Sequence, residues 1–166
     1  MSEEEVSVSS AQRAAGEGRL AQWVVDFLSS PGSSNAELAA ALALKDTVYL
    51  GPIRFPLDRL TPMAGPDGDK VVVPVAKEEW ESDVEGMEDS IEEGWHPPPL
   101  LVSPHDGQFF LEDGNHRCET LRRTGATSAW AILLFGDEME RDRFLKEQRD
   151  MVTRSQSGGA PGTKHP

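Results

Sequence analysis

A chain of 166 residues has room for one compact domain with a real core and flexible ends, not for a second full domain. Its 29 acidic residues outnumber 16 basic ones, a formal charge of -13, so the surface as a whole repels the phosphate backbone and direct DNA binding is not expected. A single cysteine, Cys118, excludes an internal disulfide framework and fits a reducing compartment. No stretch approaches the roughly 18 apolar residues of a membrane span, and Met1 to Arg13 lacks the apolar core of a secretory signal, so a cytoplasmic protein without membrane contact is expected.

In chain order, Ser2 to Ser10 is polar and acidic and predicts a frayed end. Leu20, Trp23, Val24, Phe27 and Leu28 then recur at helical spacing. Ser29 to Ser33 breaks that helix, and Ser34-Asn35-Ala36-Glu37 has the capping-box arrangement for a second helix carrying Leu38, Leu42 and Leu44. A helical pair this small has too little core to stand alone, so its apolar face must be covered, and covering by the rest of the chain is expected.

Thr47 to Leu50 has strand character, Gly51-Pro52 reads as a turn into Ile53 to Leu57, and Pro62 through Gly68 reads as a loop. Val71 to Val75 has strand composition, with Pro74 arguing for an edge or a strand end. A helix starting near Ser82 or Asp83 presents Val84, Met87 and Ile91 and stops at Gly94. Nine carboxylates fall between Glu78 and Glu93 without one Lys or Arg, which reads as a solvated helix face.

Trp95 to Pro99 resists helix and introduces the strand Leu100 to Val102. Pro104-His105-Asp106-Gly107 turns onto Phe109 to Leu111, and a helix from His116 to Thr124 ends at Gly125. Thr127 to Phe135 is almost unbroken apolar sequence, the right length for a buried strand. Asp137 opens a charged surface helix to about Met151, with Met139, Phe144 and Leu145 as its apolar contacts, and the Ser-, Gly- and Pro-rich remainder predicts a disordered tail. The expected organisation is an acidic, helical N-terminal extension over residues 1–46, an α+β domain over 47–151, and a tail over 152–166.

The chemistry concentrates at Glu112-Asp113-Gly114-Asn115-His116-Arg117, read as strand, tight turn and helix start. Gly114 can take backbone angles closed to other residues, and Asn115 is a good N-cap. The free amides of the helix entrance, with His116 and Arg117 in its first turn, form a candidate seat for an anion such as phosphate. Glu112 or Asp113 could act as a general base, and Asp113 with Glu119 could hold a magnesium ion. The same residues have ordinary uses: Asp113 as turn chemistry, Arg117 in a salt bridge, Cys118 as a small buried residue. The histidines lack ligand spacing for zinc, and no Walker, Rossmann or Gly-x-Ser-x-Gly pattern is present.

The run Asp113-Gly114-Asn115-His116-Arg117, preceded by Asp89-Ser90-Ile91-Glu92-Glu93-Gly94, by Pro97 to Val102 and by Phe55-Pro56-Leu57-Asp58-Arg59-Leu60, resembles the ParB/sulfiredoxin superfamily over roughly residues 48 to 135. That resemblance implies a mixed α/β (α+β) fold and a ligand site at the turn. Arg117 matches the phosphate-gripping Arg of the Gly-x-x-Arg motif, and His116 matches the His beside it in sulfiredoxins. Asn115 stands where sulfiredoxins need cysteine, which argues against sulfinic-acid reduction. Partition-type clamping would need further domains that this length does not hold.

Two functions follow. In the first, the Asp113–Arg117 turn binds a nucleoside tri- or diphosphate, or another phosphorylated ligand, with Mg2+. Gly114, Asn115, His116 and Arg117 hold the phosphates, Asp113 and Glu112 are catalytic, and the chemistry is phosphoryl transfer or hydrolysis. In the second, the chain is a non-enzymatic protein-interaction module, or a DNA-associated partition-type accessory, in which the turn is only structural.

Overall fold

The computed structural model describes residues 6–30, 33, 35–62, 64–65, 73–74 and 76–159. Its central element is a five-stranded sheet in the order β1 (Val48–Pro56), β7 (Ser128–Phe135), β5 (Leu100–His105), β6 (Gln108–Asp113) and β2 (Leu60–Pro62). β1–β7 and β5–β6 are antiparallel, whereas β5–β7 and β2–β6 are parallel, so the sheet is mixed and the class is α+β.

The apolar run of β7 explains its place between β1 and β5, since both of its faces are covered. Ala129, Ala131, Leu133 and Phe135 face one core cluster, and Ile132 and Leu134 the other. That is the two-residue period of a strand. The first cluster is closed by α5 (Asn115–Arg123) through Cys118 and by α6 (Glu138–Gly159) through Phe144. The second is closed by α1 (Val8–Gly16), α2 (Leu20–Ser29) and α3 (Ala36–Ala43), so the N-terminal helices cover the sheet's other face.

The segment expected to fray is helical from Val8. The Ser7 hydroxyl accepts from the Ser10 amide, Ser10 reciprocates, and the Trp23 indole donates 2.9 Å to the Ser10 hydroxyl. Ala11 and Ala14, both fully buried, carry a packing face too small to stand out as an apolar stripe. α3 is capped by Asn35, whose side chain accepts from the Leu38 amide; Ser34 lies outside the described residues.

Gly51-Pro52 does not end a strand. β1 runs through it on a register shift, with Gly51 at φ 130° so close to β7 that a Cβ would stand 2.7 Å from the Ala131 carbonyl oxygen. The expected loop after Pro62 and the strand at 71–75 are described only at Ala64–Gly65 (β3) and Val73–Pro74 (β4), which pair with each other in parallel. α4 (Lys77–Glu92) begins more than a turn before Ser82, because Trp80 joins Val84 on its buried side. Gly94 follows its end in the left-handed conformation. α6 continues past Met151 to Gly159, and Met139 is 72% exposed rather than a packing residue; residues 160–166 lie outside the described set. Among the described residues no helix is long and apolar enough to cross a membrane.

Adjacent β7 residues serve opposite cores, so Ile132→Ala and Leu133→Ala should each cost about 2–5 kcal/mol. Both variants and the parent should unfold in urea in one transition, by far-UV circular dichroism and by tryptophan fluorescence alike. An early fluorescence transition confined to Ile132→Ala would show that the N-terminal helices fold separately.

Candidate functional site

The β5–β6 hairpin delivers Asp113 to the end of β6, and Gly114 turns the chain into α5 at φ 104°, ψ 25°. The turn needs glycine twice over. The backbone is left-handed, and a Cβ would meet Leu100 Cδ2 at 2.6 Å and Arg117 Nη2 at 2.8 Å. The N-cap is therefore Gly114 and not Asn115, and a glycine brings no side chain of its own to cap the helix. Asn115 is the first helical residue, and its Nδ2 donates 3.4 Å to the Leu111 carbonyl.

Arg117 does not project from the helix start. It folds back beneath Gly114, 5% exposed, and Nη2 donates 3.1 Å to Asp113 Oδ2 and 3.1 Å to the Pro99 carbonyl. Its guanidinium lies 5.4 Å from the centre of the Phe27 ring on α2. Asp113, 8% exposed, uses its other oxygen as well: Oδ1 accepts from Ser33 Oγ and from Asn35 Nδ2, each at 3.1 Å. The same Asn35 caps α3. One carboxylate thus joins β6, α5 and the α2–α3 linker. A buried pair of this kind gains little net stability by existing, but removing one partner strands a charge in the interior.

His116 faces α4 rather than the turn. Its ring lies tilted by 32° against Trp80 with the ring centres 4.4 Å apart, and Nε2 lies 3.3 Å from Asp83 Oδ2 without the alignment of a hydrogen bond, which leaves that buried atom unsatisfied. Glu112 is half-buried and makes no hydrogen bond or ion pair among the described residues. Glu119 is engaged elsewhere, accepting from Arg123 Nε at 3.1 Å. Arg123 also grips both oxygens of Glu81 at 2.7 and 2.9 Å, tying α5 to α4. This bond holds the Glu81 carboxyl below its usual range and raises the guanidinium in return.

Of the residues assigned to a phosphate and metal site, the structure brings Asp113, Gly114 and Arg117 together, but as an internal lock. Glu119 and Asp113 have separate partners, and among the described residues no group of three His, Cys, Asp or Glu side chains could hold a metal ion. The residues missed from the sequence were the lock's remote members, Phe27, Ser33, Asn35 and Pro99, and the His116 partners Trp80 and Asp83. One signal was available: Asp113 and Arg117 are four apart, the spacing of an intrahelical ion pair.

No protein-family profile and no curated protein matches the chain. Solved structures do. They match it over about half of its length. A conserved hypothetical protein from Pyrococcus furiosus is 22% identical over 54% of this chain and 34% of its own, with a TM-score of 0.40. A Pnob8-like ParB-N domain is 17% identical over 59% of this chain and 34% of its own, with a TM-score of 0.36. The chain thus spans about a third of both. Sulfiredoxin from Arabidopsis thaliana is 18% identical over 58% of this chain and 94% of its own, also with a TM-score of 0.36. A free serine kinase in complex with ADP matches at 23% identity over 49% of this chain and 30% of its own, TM-score 0.35. The α+β class read from the sequence holds, the matched structures include a ParB-N domain and a sulfiredoxin, as the motifs suggested, and the α1–α3 layer lies against one face of this chain's sheet.

Arg117→Met should leave Asp113 charged and buried and should cost about 3–5 kcal/mol in chemical denaturation. Replacing both members, Asp113→Asn with Arg117→Met, should recover part of that loss. A single variant as stable as the parent would mean that the pair is not buried in solution. Cys118, whose thiol is pushed up by burial, should resist iodoacetamide at about pH 8 in the folded protein and react once urea unfolds it. Alkylation of the native protein at the rate of free cysteine would contradict that placement.

Proposed function

We propose that this chain is a non-catalytic binding module built on the ParB/sulfiredoxin-type fold, in which the Asp113–Arg117 turn is a structural lock. The observation that carries the reading is the double engagement of Asp113, by Arg117 on one oxygen and by Ser33 and Asn35 on the other. A general base needs a free lone pair aimed at substrate, and a phosphate-gripping arginine needs an open guanidinium face. Here Asp113 accepts on both oxygens, and Arg117 spends Nη2 on Asp113 and Pro99 while its buried Nε has no partner among the described residues. The surroundings are also unfavourable to an anion: α4 brings Asp83 to His116, and Glu81 and Glu88 lie within 4 Å of Arg123. The N-terminal helices, whose linker supplies Ser33 and Asn35, fit a module that presents surfaces rather than one that opens a cleft.

The second reading keeps a nucleotide or other phosphorylated ligand at this turn, with magnesium. It draws support from the two buried nitrogens of the motif that lack a hydrogen-bond partner, Nε2 of His116 and Nε of Arg117. Binding there would require Arg117 to leave Asp113. Phosphoryl transfer or hydrolysis would further require a metal site assembled from residues that now have other partners.

A thermal-shift series with ATP, ADP, CTP, GTP and inorganic phosphate, each with and without Mg2+, separates the readings. A ligand present at about 100 times its Kd stabilises the native state by about 2.7 kcal/mol, which such a series detects readily. The binding-module reading predicts no shift with any of them. A magnesium-dependent rise with one nucleotide, absent in His116→Ala, would overturn it in favour of the nucleotide site; His116 is the better probe because Arg117 variants lose stability for structural reasons.

A further inference from the structure

At the C-terminal end of α5, where β1 leaves the sheet and β7 enters it, an open groove of about 580 Å3 is lined by Arg54 and Arg122 together with Pro56, Leu57 and Ala126. Its two arginines stand out by what fixes them and not by lacking an acid, since Arg13, Arg59, Arg143 and Arg149 also have none within 4 Å among the described residues. Arg19, Arg117, Arg123 and Arg141 all close on carboxylates, as the excess of acidic residues favours. Arg54 and Arg122 have no carboxylate within 4 Å among the described residues. Each is instead fixed through Nη2 to backbone: Arg54 to the Ser128 carbonyl at 3.2 Å and hydroxyl at 2.7 Å, Arg122 to the Leu57 carbonyl at 2.8 Å. Arg54 is further steadied over the Trp130 ring at 5.4 Å. Both side chains are thus oriented before any ligand arrives. Among the described residues Nε and Nη1 of each make no hydrogen bond, and the oriented fork of a guanidinium is matched to a carboxylate.

We propose that this groove binds a short acidic peptide segment of a protein partner, with carboxylates on Arg54 and Arg122 and an apolar side chain against Pro56, Leu57 and Ala126. The inference rests on the binding-module reading and names its partner by chemistry. Charge selects the class of ligand. On a chain of net charge -13, two guanidiniums attract one or two carboxylates at contact distance, while the field of the whole molecule opposes a polyanion such as RNA or single-stranded DNA. The apolar residues of the groove give a peptide something to bury that inorganic phosphate lacks. Asp58, on the groove's lip, opposes every anion and sets the sign of one test.

The full chain, labelled with 15N, is titrated with a capped peptide of alternating leucine and aspartate. Parallel arms use the same peptide with asparagine for aspartate, inorganic phosphate, and a single-stranded oligonucleotide. The proposal expects saturable shifts at amides 54–58 and 122–128 with the acidic peptide, about hundredfold weaker binding of the asparagine peptide, and loss of the response in R54Q/R122Q, each of the two lost charge-assisted contacts being worth about tenfold in affinity. Asp58→Asn should tighten the acidic peptide several-fold, a gain that a damaged fold would not produce. The spectrum of the double variant reports its own folding through amides outside the groove. Equal binding of the two peptides, a response only to phosphate or oligonucleotide, no saturable shift at the groove, or wild-type affinity in the folded double variant would each overturn the proposal. Failure of the binding-module reading looks different: it is the nucleotide-induced thermal shift, which these amides do not report.

Discussion

The structure depends on one buried ion pair. Asp113 and Arg117 sit a helical turn apart across the left-handed glycine that links β6 to α5, and water is excluded from both. An isolated charge in that position would be prohibitive, and each has partners beyond the pair: the Pro99 carbonyl and the Phe27 ring for the guanidinium, whose Nε alone is left unsatisfied, and Ser33 and Asn35 for the carboxylate. These partners come from the hairpin's approach, from α2 and from the α2–α3 linker. The pair therefore sets how the N-terminal helices meet the sheet. Such a network contributes specificity of arrangement more than net stability, because any displacement of the linker leaves a buried carboxylate oxygen without its donors.

A second consequence is electrostatic. The carboxylates of α4 have only Lys77, at the first position, as a base on their own helix, and Arg123 of α5 supplies the ion pairs, gripping Glu81 and lying near Glu88 while also holding Glu119. α4 is thus drawn onto α5 by charge on its outer side and by Trp80 and Val84 on its inner side. His116 is caught between them, against Trp80 and Asp83. The residues of the motif that could address a ligand are in this way divided between an internal lock and a helix contact. The open positive surface lies elsewhere, at Arg54 and Arg122.

Much of the fold was legible in the residues. The apolar run of β7, the hairpin around Asp106-Gly107 and the 3.6-residue stripe of α2 each follow from periodicity and turn chemistry. The errors have specific causes. α1 was missed because Ala11 and Ala14 bury well yet leave little hydrophobic pattern. Gly51-Pro52 was read as a turn because local preference points that way; the close approach of β7, which leaves no space for a Cβ, keeps the strand continuous instead. α4 starts early because Trp80 is a core residue despite its acidic neighbours. Long-range packing overrode local signal in each case.

For the candidate site the sequence by itself determined the strand, the obligate glycine and the helix start, since backbone angles and hydrogen-bonding chemistry at Asp113 to Arg117 are local matters. It also determined that an acidic residue and an arginine would stand four apart there. Only the tertiary structure decided which way they point. Whether Arg117 faces a ligand or the interior depends on what covers it, and the cover comes from Phe27, Ser33 and Asn35, roughly eighty to ninety positions earlier in the chain. No spacing rule within the motif carries that information, because a side chain's solvation is set by neighbours that folding alone brings together.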